Sequence, residues 1–262
     1  MFKYMSKSVI LLKNETVPRD PYREAFSENG IETHFVPLLT HKPINHSQIV
    51  NFLTSNTFLD EYKAFIITSQ RCIESLDSVL SQIEEEELKG SILKKPAYTV
   101  GPATYEVLSK LGFEDIRGGT DAGNGSILSE IIISDDLFQG ENKKILFLTG
   151  ETRKDIIPRK LSSSGFDLTE LVAYRTEVIP DVVERYTELH KEISKSSSEK
   201  WLVFFSPQGT EFITEHLCEN LDYKIASIGP TTEDYLLDKG IKPTFVARKP
   251  TAASLLEGII GE

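Results

Sequence analysis

Four short segments carry residue types that could do chemistry: Thr68-Ser69, Gly101-Pro102-Ala103-Thr104, Ser206-Pro207-Gln208-Gly209 and Gly229-Pro230-Thr231-Thr232. Each stands where a run of β-branched or aromatic residues gives way to a helix-like stretch. A helix start offers backbone amides without partners and the positive end of the helix dipole, which suits an anionic ligand. Ser and Thr are also favoured N-caps and Pro fits the first helical turn, so any one of these turns is explained by capping alone. Four of them, related in pairs, point to a shared cleft. None reads GxxxxGKS/T or GxGxxG, so nucleotide binding lacks its signature. His34, His41, His46, His190 and His216 show no metal-ligand spacing, and no GxSxG elbow exists. The histidines read as surface or core positions, and Cys72 and Cys218 as buried, inert thiols. The remaining chemistry is ligand binding, or catalysis by positioning and acid–base help, with no metal or cofactor.

The elements that must position these turns are legible from periodicity. The runs SVILL, AFIIT, AYTVG, KILFL, WLVFF and ASIG each end in a small or polar residue, and helix-like stretches follow. YREAFSENG stops at Gly30 and EVLSKLG at Gly112, where glycine ends a helix. Strands without in–out alternation, interleaved with helices, predict parallel sheets covered on both faces. In such folds ligands bind beyond the carboxyl ends of the strands.

Three pairs of segments repeat in the same order. The stretch beginning at Ile10 matches that beginning at Ile145, an offset of 135 that also sets Gly30 on Gly165. FIITSQRCIESL from Phe65 matches LVFFSPQGTEFI from Leu202, an offset of 137 that sets Ser69 on Ser206. VGPATYEVLSKLG from Val100 matches IGPTTEDYLLDKG from Ile228 at an offset of 128. Small drifts in offset are what loop insertions leave between two copies of one unit. The chain is therefore expected to be α/β, with two similar flavodoxin-like parallel-sheet domains.

Composition narrows the partners. A chain of 262 residues allows two domains of about 100–150 residues. With 40 acidic residues against 29 basic and a net charge of −11, it lacks the basic surface that nucleic-acid binding uses. No stretch approaches the roughly 18 apolar residues of a membrane helix. SVILL near the N-terminus is too short and too soon followed by Lys13 and Glu15 for a secretory signal. A cytoplasmic protein without membrane or nucleic-acid partners is expected. The run Glu84–Glu87 reads as a solvated helix end, and residues 194–200 as a loop.

ITSQRCIESL (67–76), VGPAT (100–104), GETRKDIIPRKL (150–161), LVAYRT (171–176), FFSPQG (204–209) and IGPTT (228–232) together resemble the segments of uroporphyrinogen-III synthases, in that family's order. The resemblance implies an enzyme that converts hydroxymethylbilane, a linear tetrapyrrole with eight carboxylates, into uroporphyrinogen III. Water is lost and ring D is inverted through a spirocyclic pyrrolenine, without cofactor or metal. It further implies two α/β domains joined by a two-stranded connector. Domain 1 would comprise 1–38 and 176–262, and domain 2 would comprise 39–175. The connector would be Pro37–Ile44 with Leu171–Ile179. A monomer is implied, in transient contact with the preceding enzyme of the pathway.

Carried over by motif, the substrate-binding residues would be Ser69, Arg71, Thr104, Arg153, Lys154, Ser206, Gln208, Lys224, Thr231 and Thr232. Gln70 departs from the family, many of whose members carry Pro there. Tyr174 is the catalytic candidate that the resemblance implies, helping the hydroxyl leave. Its offset partner in the other copy is Leu39, so the two connector strands do not do identical jobs. A Tyr that packs its ring and wets its hydroxyl is the plain alternative. On a chain this acidic, a polyanionic substrate requires local attraction. The rival class is a two-domain cytoplasmic protein that binds an anionic small molecule without chemistry. A nucleotide-sugar transferase would need a nucleotide-binding element that is missing.

Overall fold

The computed structural model describes residues 7–195, 198–219 and 222–261. The chain divides into two compact units, 1–40 with 177–262 and 41–176. In chain order the first elements are β1 (Lys7–Leu12), α1 (Pro21–Glu28), β2 (Glu32–Phe35), β3 (Leu39–Pro43), α2 (His46–Leu53) and α3 (Asn56–Glu61). Then come β4 (Ala64–Ile67), α4 (Gln70–Leu80), α5 (Glu86–Leu93), β5 (Ala97–Val100), α6 (Pro102–Leu111), β6 (Ile116–Gly119) and α7 (Gly125–Ser134). The middle of the chain holds β7 (Lys144–Gly150), α8 (Ile156–Ser163), β8 (Asp167–Val178) and α9 (Val182–Ile193). The last elements are β9 (Glu199–Phe204), α10 (Glu211–Glu219), β10 (Lys224–Ser227), α11 (Pro230–Asp238), β11 (Phe245–Val246) and α12 (Ala252–Gly261).

The discontinuous unit holds a sheet in the order β11-β10-β9-β1-β2, all of its pairings parallel. The other sheet runs β3-β8-β7-β4-β5-β6, parallel from β8 to β6. The continuous hydrophobic runs are explained by covering on both faces. Along β1, Ile10 and Leu12 enter one core while Val9 and Leu11 enter another. Along β4, Phe65 and Ile67 pack on one side and Ala64 and Ile66 on the other. The same alternation divides Leu146 and Leu148 from Ile145 and Phe147 in β7.

Local signals account for the helix ends. Asp20 caps α1 through its carboxylate, accepting from the amides of Tyr22 and Arg23, and the helix ends two residues before Gly30. α6 stops at Leu111 because Gly112 takes φ +106°, a conformation that side chains resist. The acidic run is exposed and opens α5, where negative charge complements the helix dipole. Cys72 is buried, and burial pushes its thiol up to about 12, so it stays protonated and inert. The side chain of Cys218 lies outside the described residues. Two details differ from the sequence reading. β9 begins at Glu199, inside the stretch read as a loop. In the discontinuous unit, α10 begins only at Glu211, whereas α4 begins directly after Ser69, the offset partner of Ser206. Gly209, at φ +79°, interrupts the turn, and Thr210 donates its hydroxyl to Pro207 O before the helix starts.

Among the described residues no helix is long and apolar enough to cross a membrane.

Candidate functional site

In the unit of residues 41–176, parallel strands β4, β5 and β7 deliver their carboxyl ends, and β8 its Tyr174, to one cavity of about 260 Å³. It is lined by Thr68, Ser69, Val100, Thr149, Gly150, Thr152, Arg153, Lys154 and Tyr174, with Cys72 and isoleucines 156 and 157. Such strand ends are where α/β sheets bind ligands.

Ser69 follows β4 and caps α4, its hydroxyl accepting from the amide of Arg71 at 3.2 Å. The same hydroxyl donates to the phenol oxygen of Tyr174 at 3.3 Å. Tyr174 therefore accepts from Ser69 and keeps its own proton to donate into the cavity. A bulge places the ring. Thr149 pairs with Val172, but Gly150 pairs with Tyr174, so β8 carries one residue more than β7 at this point. A bulge of this kind re-aims a side chain. The phenol then lies against Gly150, whose missing side chain leaves it room.

The charges in and around this cavity are unequal. Arg153 is ion-paired with Asp155 and Glu170, which offsets much of its charge. Lys154 is exposed and makes no ion pair among the described residues. Arg71 is held by both carboxylate oxygens of Glu74, at 2.8 and 2.9 Å. Thr104 is buried in the first turn of α6, ahead of Tyr105, whose amide makes the bond to Gly101 O. No side-chain cap closes that helix, nor α11; in both, Gly and Pro open the turn instead.

In the other unit, α11 opens beside a cavity of about 280 Å³ lined by Phe205, Gly229, Thr231, Thr232, Ala247 and Arg248. Thr231 is exposed and the Thr232 side chain is buried; Glu233 already bonds to Gly229 O, leaving the earlier amides of the turn outside the helical ladder. Ser206 and Gln208 lie on the loop between β9 and α10, and Ser206 does not cap that helix.

Lys224 requires a correction. It opens β10, at the amino end of the strand, whereas Thr231 and Thr232 follow the carboxyl end. Its amine pairs with Glu199 at 3.1 Å and lies over the Trp201 ring at 5.4 Å. A four-residue strand separates it from the cavity, about 10 Å at the usual rise. A basic residue preceding a strand and one following it look alike in the sequence, but the strand carries them to opposite edges.

Gly150, Thr152 and Arg248 line these cavities and His41 adjoins Tyr174, and none of the four is singled out as a site residue by the sequence. The imidazole of His41 packs edge-on against Tyr174, with ring centroids 5.6 Å apart. Gly150 had a signal, since GET follows a buried strand as the other turns do. His41 had none, because nothing local in THKP marks a neighbour 133 residues away.

A family model described as uroporphyrinogen-III synthase matches residues 20–257. The chain is 41% identical to the uroporphyrinogen-III synthase of Saccharomyces cerevisiae, over 96% of this chain and 94% of that one. It is 37% identical to the Schizosaccharomyces pombe enzyme of the same name, over 97% and 96% of the two chains. Among solved structures, uroporphyrinogen-III synthetase from Helicobacter pylori matches with a TM-score of 0.60 at 19% identity, covering 98% of this chain and 99% of that one. A mutant uroporphyrinogen III synthase from Thermus thermophilus matches with a TM-score of 0.51 at 17% identity, covering 98% of both chains. At those identities the structures speak for the α/β fold alone. The family model and both yeast relatives span nearly the whole chain: it belongs to the uroporphyrinogen-III synthase family.

Proposed function

We propose that this chain closes hydroxymethylbilane into uroporphyrinogen III, with loss of water and inversion of ring D, as a step of tetrapyrrole biosynthesis. The observation that carries the chemistry is the phenol of Tyr174, which accepts from Ser69 at 3.3 Å and has its own proton free for the departing hydroxyl. A phenol is a weak acid near neutral pH, so it assists as a hydrogen-bond donor while charge develops on the oxygen. Lys154, and to a lesser degree the ion-paired Arg153, supply local positive charge at the same strand ends. Thr104, Thr231 and Thr232 offer helix-start amides to other carboxylates, and Arg248 adds a cation beside the last two. Ser206 and Gln208 are placed on the corresponding loop, and Arg71 flanks the first helix start. Lys224 is left out because it stands at the other edge of its sheet.

The wider reading is of a monomer in the cytoplasm, built from two flavodoxin-like copies of one unit, 1–38 with 176–262 and 39–175, joined by two strands. Transient contact with the preceding enzyme would shield the unstable linear substrate. Support for the duplication comes from strand order. At the sequence offsets, β2-β1-β9-β10-β11 correspond one by one to β8-β7-β4-β5-β6. The register supports it too: Val203 pairs with Ala226, and the residues at their offsets, Ile66 and Tyr98, also pair with each other. A binding protein without catalysis is disfavoured by family membership.

The test is to supply hydroxymethylbilane to the purified chain and resolve the uroporphyrin isomers. Isomer III is expected; isomer I alone, the product of spontaneous closure, would overturn the reading.

A further inference from the structure

We propose that His41 is a positioning residue for the phenol of Tyr174, an inference that rests on the role given to Tyr174 above. His41 is the third residue of β3, and β3 lies beside β8 in the six-stranded sheet. The two are tied together next to the tyrosine: the amide of Ile44 donates to Ala173 O at 2.9 Å, and the Asn45 side chain donates to Val172 O at 3.0 Å. The imidazole meets the Tyr174 ring at an interplanar angle of 86°, the edge-to-face arrangement that aromatic quadrupoles favour. Among the described residues it is the only aromatic side chain packed on that ring.

The histidine is itself held. Its Nδ1 lies 3.1 Å from Thr176 Oγ1, two residues beyond Tyr174 on the same strand. Tyr174 is thus fixed at three points: Ser69 at its oxygen, the open side of Gly150, and the His41 ring. Ser69 alone would leave the ring free to swing about that one hydrogen bond. The edge-on imidazole limits the swing, so the donated proton points the same way in each turnover. A reacting group displaced by about 1 Å can lose two orders of magnitude in rate.

The groups facing His41 are Arg71 and Glu74 from α4 and Tyr174 with Thr176 from β8. Although His41 is exposed overall, partial desolvation first, and then the Arg71 guanidinium, hold the imidazole below its usual range, with Glu74 opposing. The neutral ring is therefore the form that packs on Tyr174 at neutral pH. Protonation would place a second cation beside Arg71 and push the ring off its seat.

The experiment compares isomer III formation by wild type, His41→Ala, His41→Phe, Tyr174→Phe and the double variant His41→Ala/Tyr174→Phe. His41→Ala is expected to lower kcat about tenfold with KM unchanged. His41→Phe, which keeps a ring, is expected to recover part of that loss if the alanine variant folds poorly. The double variant should be no slower than Tyr174→Phe alone, because the histidine acts only through the phenol. Wild-type kcat should also fall at acid pH, below the ordinary imidazole value of 6.5, and this limb should vanish in His41→Phe. Normal kcat in His41→Ala beside a slow Tyr174→Phe would overturn the inference alone. So would a raised KM at unchanged kcat, or a double variant slowed by the product of both losses. A Tyr174→Phe variant as fast as wild type would instead overturn the role of Tyr174, and that of His41 with it.

Discussion

The phenol of Tyr174 occupies the place where a side chain at Gly150 would stand: a Cβ there would come within 2.6 Å of Cζ and 2.8 Å of the hydroxyl oxygen. Glycine at 150 is required here by this contact rather than by an unusual backbone angle. Gly150→Ala is expected to displace the ring and lower kcat by at least tenfold, at about 1–3 kcal/mol of stability from overpacking. Steady-state rates and a denaturant melt check both parts. An alanine variant with normal kcat would mean that the ring has room elsewhere.

Tyr174→Phe keeps the ring and removes only the donor. If the hydroxyl acts as the C–O bond breaks, kcat and kcat/KM fall together. Loss of one preorganised donor is worth up to about 3 kcal/mol, roughly a hundredfold, and the drop here should be smaller because hydroxide leaves readily from this activated pyrrole. Stability should change by less than about 1.5 kcal/mol. Full activity at unchanged stability would leave a site that works by shape and carboxylate clamping.

Salt should weaken substrate capture, since exposed cations hold a polycarboxylate partly through screened charge. KM is expected to rise with ionic strength, and Lys154→Ala or Arg248→Ala to flatten the rise. Arg71→Ala should matter less, because Glu74 already neutralises that guanidinium. A KM indifferent to salt would assign the carboxylates to backbone amides instead.

Glu199 predicts a pH window for stability. Burial alone would raise its pKa, but hydrogen bonds from Trp201 at 2.8 Å, Lys7 and Lys224 outweigh it and bring the value down to about 2. A lowered folded pKa stabilises above the unfolded value near 4.5 and loses that contribution as pH falls toward about 2. Glu199→Gln should melt below wild type at pH 7, and the gap should close between pH 4.5 and 2. A gap that persists at pH 2 would point to lost packing rather than lost charge.

The fragment 39–175 is expected to fold alone, and 1–38 to remain unfolded. β1 sits between β2 and β9, so the short fragment loses the neighbour that contributes six paired residues. Circular dichroism of the two fragments decides. A folded 1–38 would show that the N-terminal unit needs no partner strand.

Much of the framework was readable because it is local. Glycines at 30 and 112 end helices, Ser69 caps α4, and the apolar runs become β1, β4, β5, β7, β9 and β10. Each depends on a few adjacent residues. The delayed start of α10 was less readable, since SPQGT holds a proline suited to a helix start and a glycine that breaks it.

The amino-acid sequence by itself determined the family, the parallel α/β character and the four turns that end the strands, because periodicity, caps and motif order are written along the chain. Only the tertiary structure decided which of those residues meet. The extra residue in β8 turns Tyr174 onto Gly150, and that shift exists only in the pairing with β7. His41 reaches Tyr174 because β3 lies beside β8, and Lys224 is carried away because it precedes its strand rather than following it. Side-chain type is fixed residue by residue, whereas register and strand direction are properties of pairs of segments far apart in the chain.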